Sequence, residues 1–173
     1  MIQPPTLRTD RLLLEPLGRH HSEGMFLLWS RKEVCRYSGP AEDWEGNAIA
    51  LPAASPADSD RIIDFFERMA AAGRGFRWAL VMQGGREFVG AIGFNCLTPA
   101  AELAYHLRPE FWGRGLMREA AEAALAWVKR KSDLPVEAFI EPGNGASVGL
   151  ARRLGFAPTG MLKDGAEQFL LPG

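Results

Sequence analysis

The sequence predicts a mixed α/β domain of three layers, and not a doubly wound parallel sheet. Three observations predict it. Strand and helix signals run in the order strand, two or three helices, strands, helix, strand, helix, strand, strand. A strand at Leu103–Leu107 passes through a glycine-punctuated turn into a long amphipathic helix, Leu116 to Lys131. Gly84-Gly85 separates two apolar runs, a hairpin signal. A chain of 173 residues suits one domain over residues 1–173.

Taken in order, Thr9 to Pro16 reads as an opening strand ended by proline. Arg19 to Trp29 is helical, with Met25, Phe26, Leu28 and Trp29 as its apolar set, and Arg31 to Tyr37 is a short second helix. Residues 41–56 have no period and read as a loop at the mouth of a site, with Trp44 as a candidate pocket wall. Ser55-Pro56-Ala57-Asp58 starts a helix that runs through Ile62, Ile63, Phe66 and Met69. Strands follow at Phe76–Met82 and Glu87–Asn95; Gly90 and Gly93 in the second imply a bulge or a close neighbour. Pro135 to Glu141 is a strand, Asn144 to Leu154 a helix stopped at Gly155, and Phe156–Leu162 with Glu167–Leu171 a last hairpin.

Composition excludes several classes. A formal net charge of −1 supplies no field for nucleic acid or an acidic membrane surface. Two cysteines, Cys35 and Cys96, without metal spacing fit a reducing cytoplasm, and no metal is expected. No apolar run approaches the ~18 residues of a membrane span, and the N-terminus lacks a signal peptide's basic and apolar regions.

The stretch Arg108-Pro109-Glu110-Phe111-Trp112-Gly113-Arg114-Gly115-Leu116-Met117 carries the most chemistry. It opens a helix whose apolar stripe is Leu116, Ala120, Ala124, Trp127 and Val128. A helix start has unpaired N–H groups and the positive dipole end, and glycines let a ligand approach the backbone. That suits a phosphate or pyrophosphate; a plain tight turn is the alternative. The stretch is neither a G-x-G-x-x-G loop, since position 118 is Arg, nor a triphosphate loop.

Three segments together resemble the GNAT superfamily of acetyl-CoA-dependent N-acetyltransferases, in its RimJ/RimL-like branch: Thr9 to Pro16, Ala104 to Ala120, and Asn144-Gly145-Ala146-Ser147 with Leu154-Gly155-Phe156. The resemblance implies a GNAT-like three-layer α/β/α fold with a mixed, mostly antiparallel sheet, opened between two parallel strands near Leu103–Leu107 and Pro135–Glu141. It implies that the backbone of Leu107 and Arg108 pairs with the pantetheine arm of acetyl-CoA. The N–H groups of Trp112, Gly113, Arg114, Gly115, Leu116 and Met117 would then hold the pyrophosphate, and Asn144 would contact the coenzyme or cap its helix. The family's basic or Gln residue three before the first glycine is Glu110 here, and its frequent tyrosine four after Ser147 is Ala151. Ser147 or water is therefore left to protonate the leaving thiolate.

The implied reaction is direct attack of a primary amine, from a protein N-terminus or a small molecule, on the thioester. Glu102 ranks first as base, ahead of His106, which shares its strand face, and Glu141. His20 and His21 are expected to be exposed. The alternative is a non-catalytic CoA-binding module. A monomer or homodimer is expected, with no nucleic-acid or membrane partner.

Overall fold

The computed structural model describes residues 3–173. An eight-stranded sheet lies at its centre, in the order β1 (Leu7–Arg8), β2 (Leu12–Pro16), β5 (Phe76–Met82), β6 (Phe88–Leu97), β7 (Ala101–Leu107), β8 (Val136–Ile140), β10 (Ala166–Leu171), β9 (Ala157–Lys163). Every neighbouring pair is antiparallel except β7 and β8, which are parallel. Against one face pack α4 (Leu116–Lys131) and α5 (Gly145–Arg153); against the other pack α1 (Ser22–Trp29) and α3 (Pro56–Ala71). The expected three layers, mostly antiparallel with one parallel pair, are present.

The α4 layer follows from its sequence. Leu116, Ala120, Ala124, Trp127 and Val128 are buried, together with Met117, Ala121 and Leu125. Trp127 meets Phe76 and Trp78 edge-on, each at 5.4 Å between ring centroids, and Phe76 also meets Phe94. Such edge-to-face pairs add to the burial of area itself. On the opposite side, Ser55 begins α3 as expected: Asp58 Oδ2 accepts from the N–H groups of Ala54 and Ser55, both at 3.0 Å.

Two expectations are revised. Residues 41–56 are not one irregular loop, because β3 (Ala41–Glu42) pairs with β4 (Ala48–Ile49). The turn between them is organised by Asp43, which accepts from the N–H groups of Glu45 and Asn47 and from Arg61 of α3 at 2.6 Å. That arginine is 18 residues away, so local periodicity carried no trace of it. The opening strand is also shorter than expected, since Thr9 and Arg11 turn towards α4.

Gly90 and Gly93 have both of the expected causes. The register of β6 slips between Gly90 and Phe88, which leaves Val89 as a bulge. A Cβ on Gly93 would sit 2.2 Å from the Phe76 carbonyl oxygen, and one on Gly90 2.3 Å from that of His106. Both collisions are with backbone, which a rotamer change cannot relieve. Gly93→Ala is therefore expected to destabilise the fold by about 1–3 kcal/mol, read as a lowered urea midpoint.

Candidate active site

The parallel pair β7/β8 holds at Ala101↔Val136 and Glu102↔Glu137 and goes no further. Beyond Glu102 the two strands part, and β8 continues against β10 as far as Ile140. Backbone groups alternate sides along a strand. Ala101 donates its N–H towards β8, to Pro135 O, and Arg108 donates towards β6, to Val89 O. The N–H and C=O of Tyr105 and Leu107 therefore point into the gap that β8 has vacated. Arg108 does not offer the same: its N–H goes to Val89 and its C=O accepts from Phe111 N–H at 3.0 Å. The Leu107 carbonyl accepts from Trp112 Nε1 at 2.8 Å and keeps a second lone pair.

At the mouth of this gap lies the glycine turn. Gly113 and Gly115 have φ of 73° and 74°, left-handed values that favour glycine. Residues 112–115 are exposed, and a Cβ at Gly113 would meet nothing. Trp112 departs from the expected set, because its N–H donates to Pro109 O at 3.1 Å as the short turn closes; the N–H groups of residues 113–118 make no hydrogen bond to the described residues, and the first α4 bond is Glu119 N–H to Gly115 O. Six successive amides thus lack a partner among the described residues at one helix start, an arrangement suited to a diphosphate.

The turn is clamped from below. Glu119 accepts from Thr9 Oγ1, from Arg11 N–H at 2.8 Å and from Arg11 Nε at 2.7 Å, while Arg11 Nη1 donates to Arg114 O at 2.8 Å. Burial pushes the Glu119 carboxyl up, but these three donors more than offset it and hold it below the usual range. Glu110, the departure from the family pattern, has a fold role: it pairs with Arg31 and lies 3.8 Å from Arg108 Nε.

On the other face of the gap, Glu102 accepts from Asn95 Nδ2 at 2.6 Å and lies 3.6 Å from Lys163 Nζ. Asn95 Oδ1 in turn accepts from Arg77, a buried arginine stacked 4.0 Å over the Phe66 ring. Burial pushes Arg77 down to about 9. His106 stacks on Trp29 at 4.5 Å between centroids; burial, then the Arg77 charge, pushes it down to about 3. It therefore stays neutral at working pH and is a poor proton acceptor. Glu141 is exposed beyond the end of β8.

Behind the gap, Asn144 caps α5, its Oδ1 accepting from Ser147 N–H at 3.2 Å. Ala151 is buried in the core. Two surface hollows lie elsewhere: one of about 430 Å³ beside Leu17, Phe66 and Ala70, and one of about 370 Å³ beside His20, His21 and Arg86.

Residues 11–157 match the family model described as an acetyltransferase (GNAT) domain. The chain belongs to the GNAT acetyltransferase family. It is 29% identical over 163 residues to the uncharacterized N-acetyltransferase YoaA of Bacillus subtilis, covering 92% of this chain and 86% of that one. It superposes with a TM-score of 0.76 on a putative GNAT-family acetyltransferase from Bordetella pertussis, at 26% identity over 96% of this chain and 98% of that one. It matches the fold of RimL, a ribosomal L7/L12 α-N-protein acetyltransferase solved with coenzyme A, with a TM-score of 0.76, at 20% identity over 96% of this chain and 95% of RimL. The protein is an acetyl-CoA-dependent N-acetyltransferase.

Within this GNAT enzyme, His21 corrects an expectation: it is buried, not exposed, while His20 is exposed. Its Nδ1 accepts from Gly18 N–H at 3.2 Å, so Nε2 carries the proton shared with Glu15 at 3.2 Å. Glu15 is further held by Arg86 at 2.8 Å. The Glu15–His20–His21 cluster thus has neither nitrogen of His21 open to a cation. The reading of residues one by one missed Arg11, Asn95, Lys163 and Glu119 as site supports; only the Thr9-Asp10-Arg11 segment of the resemblance pointed towards one of them. No helix among the described residues is long and apolar enough to cross a membrane.

The depressed histidines fix a pH dependence. His106 falls from 6.5 in the unfolded chain to about 3 in the fold, so the folded state gains stability above 6.5 and loses it as pH falls towards 3. His21, also lowered by burial, acts in the same direction. Denaturation measured between about pH 7 and about pH 4 should show stability falling with pH, and His106→Asn should flatten that slope.

Proposed function

We propose that the enzyme transfers acetyl from acetyl-CoA to a primary amine, with a protein N-terminal α-amine or a weakly basic small amine as acceptor, by direct attack. The observation that carries this reading is the gap beyond Glu102, with the free main-chain edge of Tyr105 and Leu107 on one wall and six unpaired amides at its mouth. The pantetheine arm runs along Tyr105 and Leu107 as an added strand, and the amides of residues 113–117 take the diphosphate. This assigns to Tyr105 and Leu107 the pairing that the resemblance gave to Leu107 and Arg108.

The amine enters from the α1/α3 face, where Glu102 stands at the closed end of the gap. It must be neutral to attack. About one α-amine in seven is neutral at pH 7, against roughly one lysine in a few thousand. Glu102 is engaged by Asn95 and Lys163, which fits an acceptor that needs little help in losing a proton. Glu102 takes that proton directly or through water, backbone N–H groups at the parting of the strands steady the oxyanion, and Ser147 faces the leaving thiolate.

Saturating acetyl-CoA should raise the melting temperature, at 100 times its Kd by the equivalent of about 2.7 kcal/mol. A panel of N-terminal peptides and small amines should release free CoA, with α-amines turned over faster than lysine side chains. Glu102→Gln should lower kcat about 10²-fold or more. No CoA release with any amine, or equal competition by ADP and CoA, would refute the reading.

A further inference from the structure

One amine of the chain already stands at the closed end of the gap. The last hairpin turns through Asp164 and Gly165, with φ of 50° and 84°, the left-handed pair of a tight two-residue turn. The turn holds Lys163 opposite Ala166, at the tip of β9. In the sheet, β10 and β8 lie between β9 and β7. The Lys163 side chain nevertheless reaches β7: its Nζ lies 3.6 Å from Glu102 Oε2 and 4.7 Å from the centre of the Phe139 ring. Glu102 belongs to the β7 wall, at the last pair with β8, and Phe139 to the β8 wall, two residues past that pair. One contact on each wall therefore sets the ammonium over the point where the strands part. Asn95 occupies Oε1 of Glu102. Besides Lys163, Oε2 meets the weak thiol donor of Cys96 at 3.9 Å. Of the four lysines, Lys32, Lys129 and Lys131 are exposed and have no ion pair among the described residues; Lys163 alone has one.

We propose that Lys163 is a self-acetylation site, modified by the enzyme's own bound acetyl-CoA. The assignment rests on the acetyl-transfer reading above, which brings the thioester to the closed end of the gap. The ammonium gives one proton to Glu102, which passes it to solvent. The neutral nitrogen bonds to the acetyl carbon, the C–S bond breaks, and its electron pair stays on sulfur. A second proton leaves the nitrogen and reaches that sulfur through water. The products are Nε-acetyl-lysine, CoA and the proton given to solvent. A free lysine is a poor acceptor because little of it is neutral. Lys163 is tethered and needs no separate binding step; an aligned intramolecular amine gains an effective concentration on the order of 10⁵ M. The tether thus offsets the scarcity of the neutral form. Acetylation removes the charge that pairs with Glu102 and leaves an amide that cannot react again, so the change stops at one acetyl per chain.

The test uses unacetylated full chain, checked by intact mass, incubated with acetyl-CoA and no acceptor. It should gain a single acetyl group, and peptide mapping should place it on Lys163, with Lys32, Lys129 and Lys131 as internal controls for uncatalysed acetylation. The rate constant should be independent of protein concentration, as an intramolecular step requires, and should fall when excess CoA competes. Lys163→Arg keeps the charge and a long stem. It should take up no acetyl, with a melting temperature close to wild type, because exposed ion pairs contribute little. Glu102→Gln should slow the uptake about 10–100-fold. No uptake, uptake shared among the four lysines, uptake that persists in Lys163→Arg or is undiminished in Glu102→Gln, or a rate constant that rises with protein concentration would each overturn self-acetylation. Acetyl transfer would stand if the amine panel still released CoA. A wild-type chain that acetylates neither itself nor any amine would overturn acetyl transfer, and self-acetylation with it.

Discussion

Two residue pairs govern this architecture. Ala101 with Val136 and Glu102 with Glu137 are the whole of the parallel contact between β7 and β8. Each strand has an antiparallel partner on its far side, β6 and β10, which carries it onward after the pair has parted. The sheet is therefore continuous at one end and open at the other. A buried main-chain edge without partners would be costly; an edge lining a cleft can be satisfied by a ligand of matching pattern. A pantetheine arm, with its amides in series, is such a ligand. The site thus arises from a deliberate shortage of strand pairing.

The helix start at the mouth of the gap extends the same theme. Gly113 and Gly115 turn the chain through left-handed conformations, so that six successive N–H groups face outward. Something must hold those amides in place when no anion does. The Thr9, Arg11 and Glu119 cluster does so by tying the loop carbonyl of Arg114 and the first turn of α4 to the β1–β2 corner. The opening segment of the family resemblance acquires its physical meaning here: it is a brace for the glycine loop, although it lies about a hundred residues from it in sequence.

The two faces of the sheet divide the chemistry. On the α4/α5 side are apolar packing and the glycine loop with its unpaired amides. On the α1/α3 side are Glu102, Asn95, Arg77 and His106, a polar layer unusual for the interior of a sheet. Gly93 and Ala104 lie between these polar side chains on adjacent strands, and Gly93 admits no side chain at all.

Much of this was legible in the sequence, because it depends on local rules. The three layers, the α4 stripe, the Ser55 helix start, the glycine hairpin and the bulged strand at Gly90 and Gly93 each follow from periodicity, capping or the absence of a Cβ within a few residues. The left-handed turn at Gly113 and Gly115 follows for the same reason. What the tertiary structure alone decided were contacts between segments far apart: Asp43 with Arg61, which makes residues 41–49 a hairpin; Arg11 with Glu119; Asn95 with Glu102; and the burial of His21 beside Glu15. The main chain of Arg108 pairs with β6 and the Phe111 turn, whereas that of Tyr105 and Leu107 faces the gap, because alternation along a strand is fixed only once its neighbours are known.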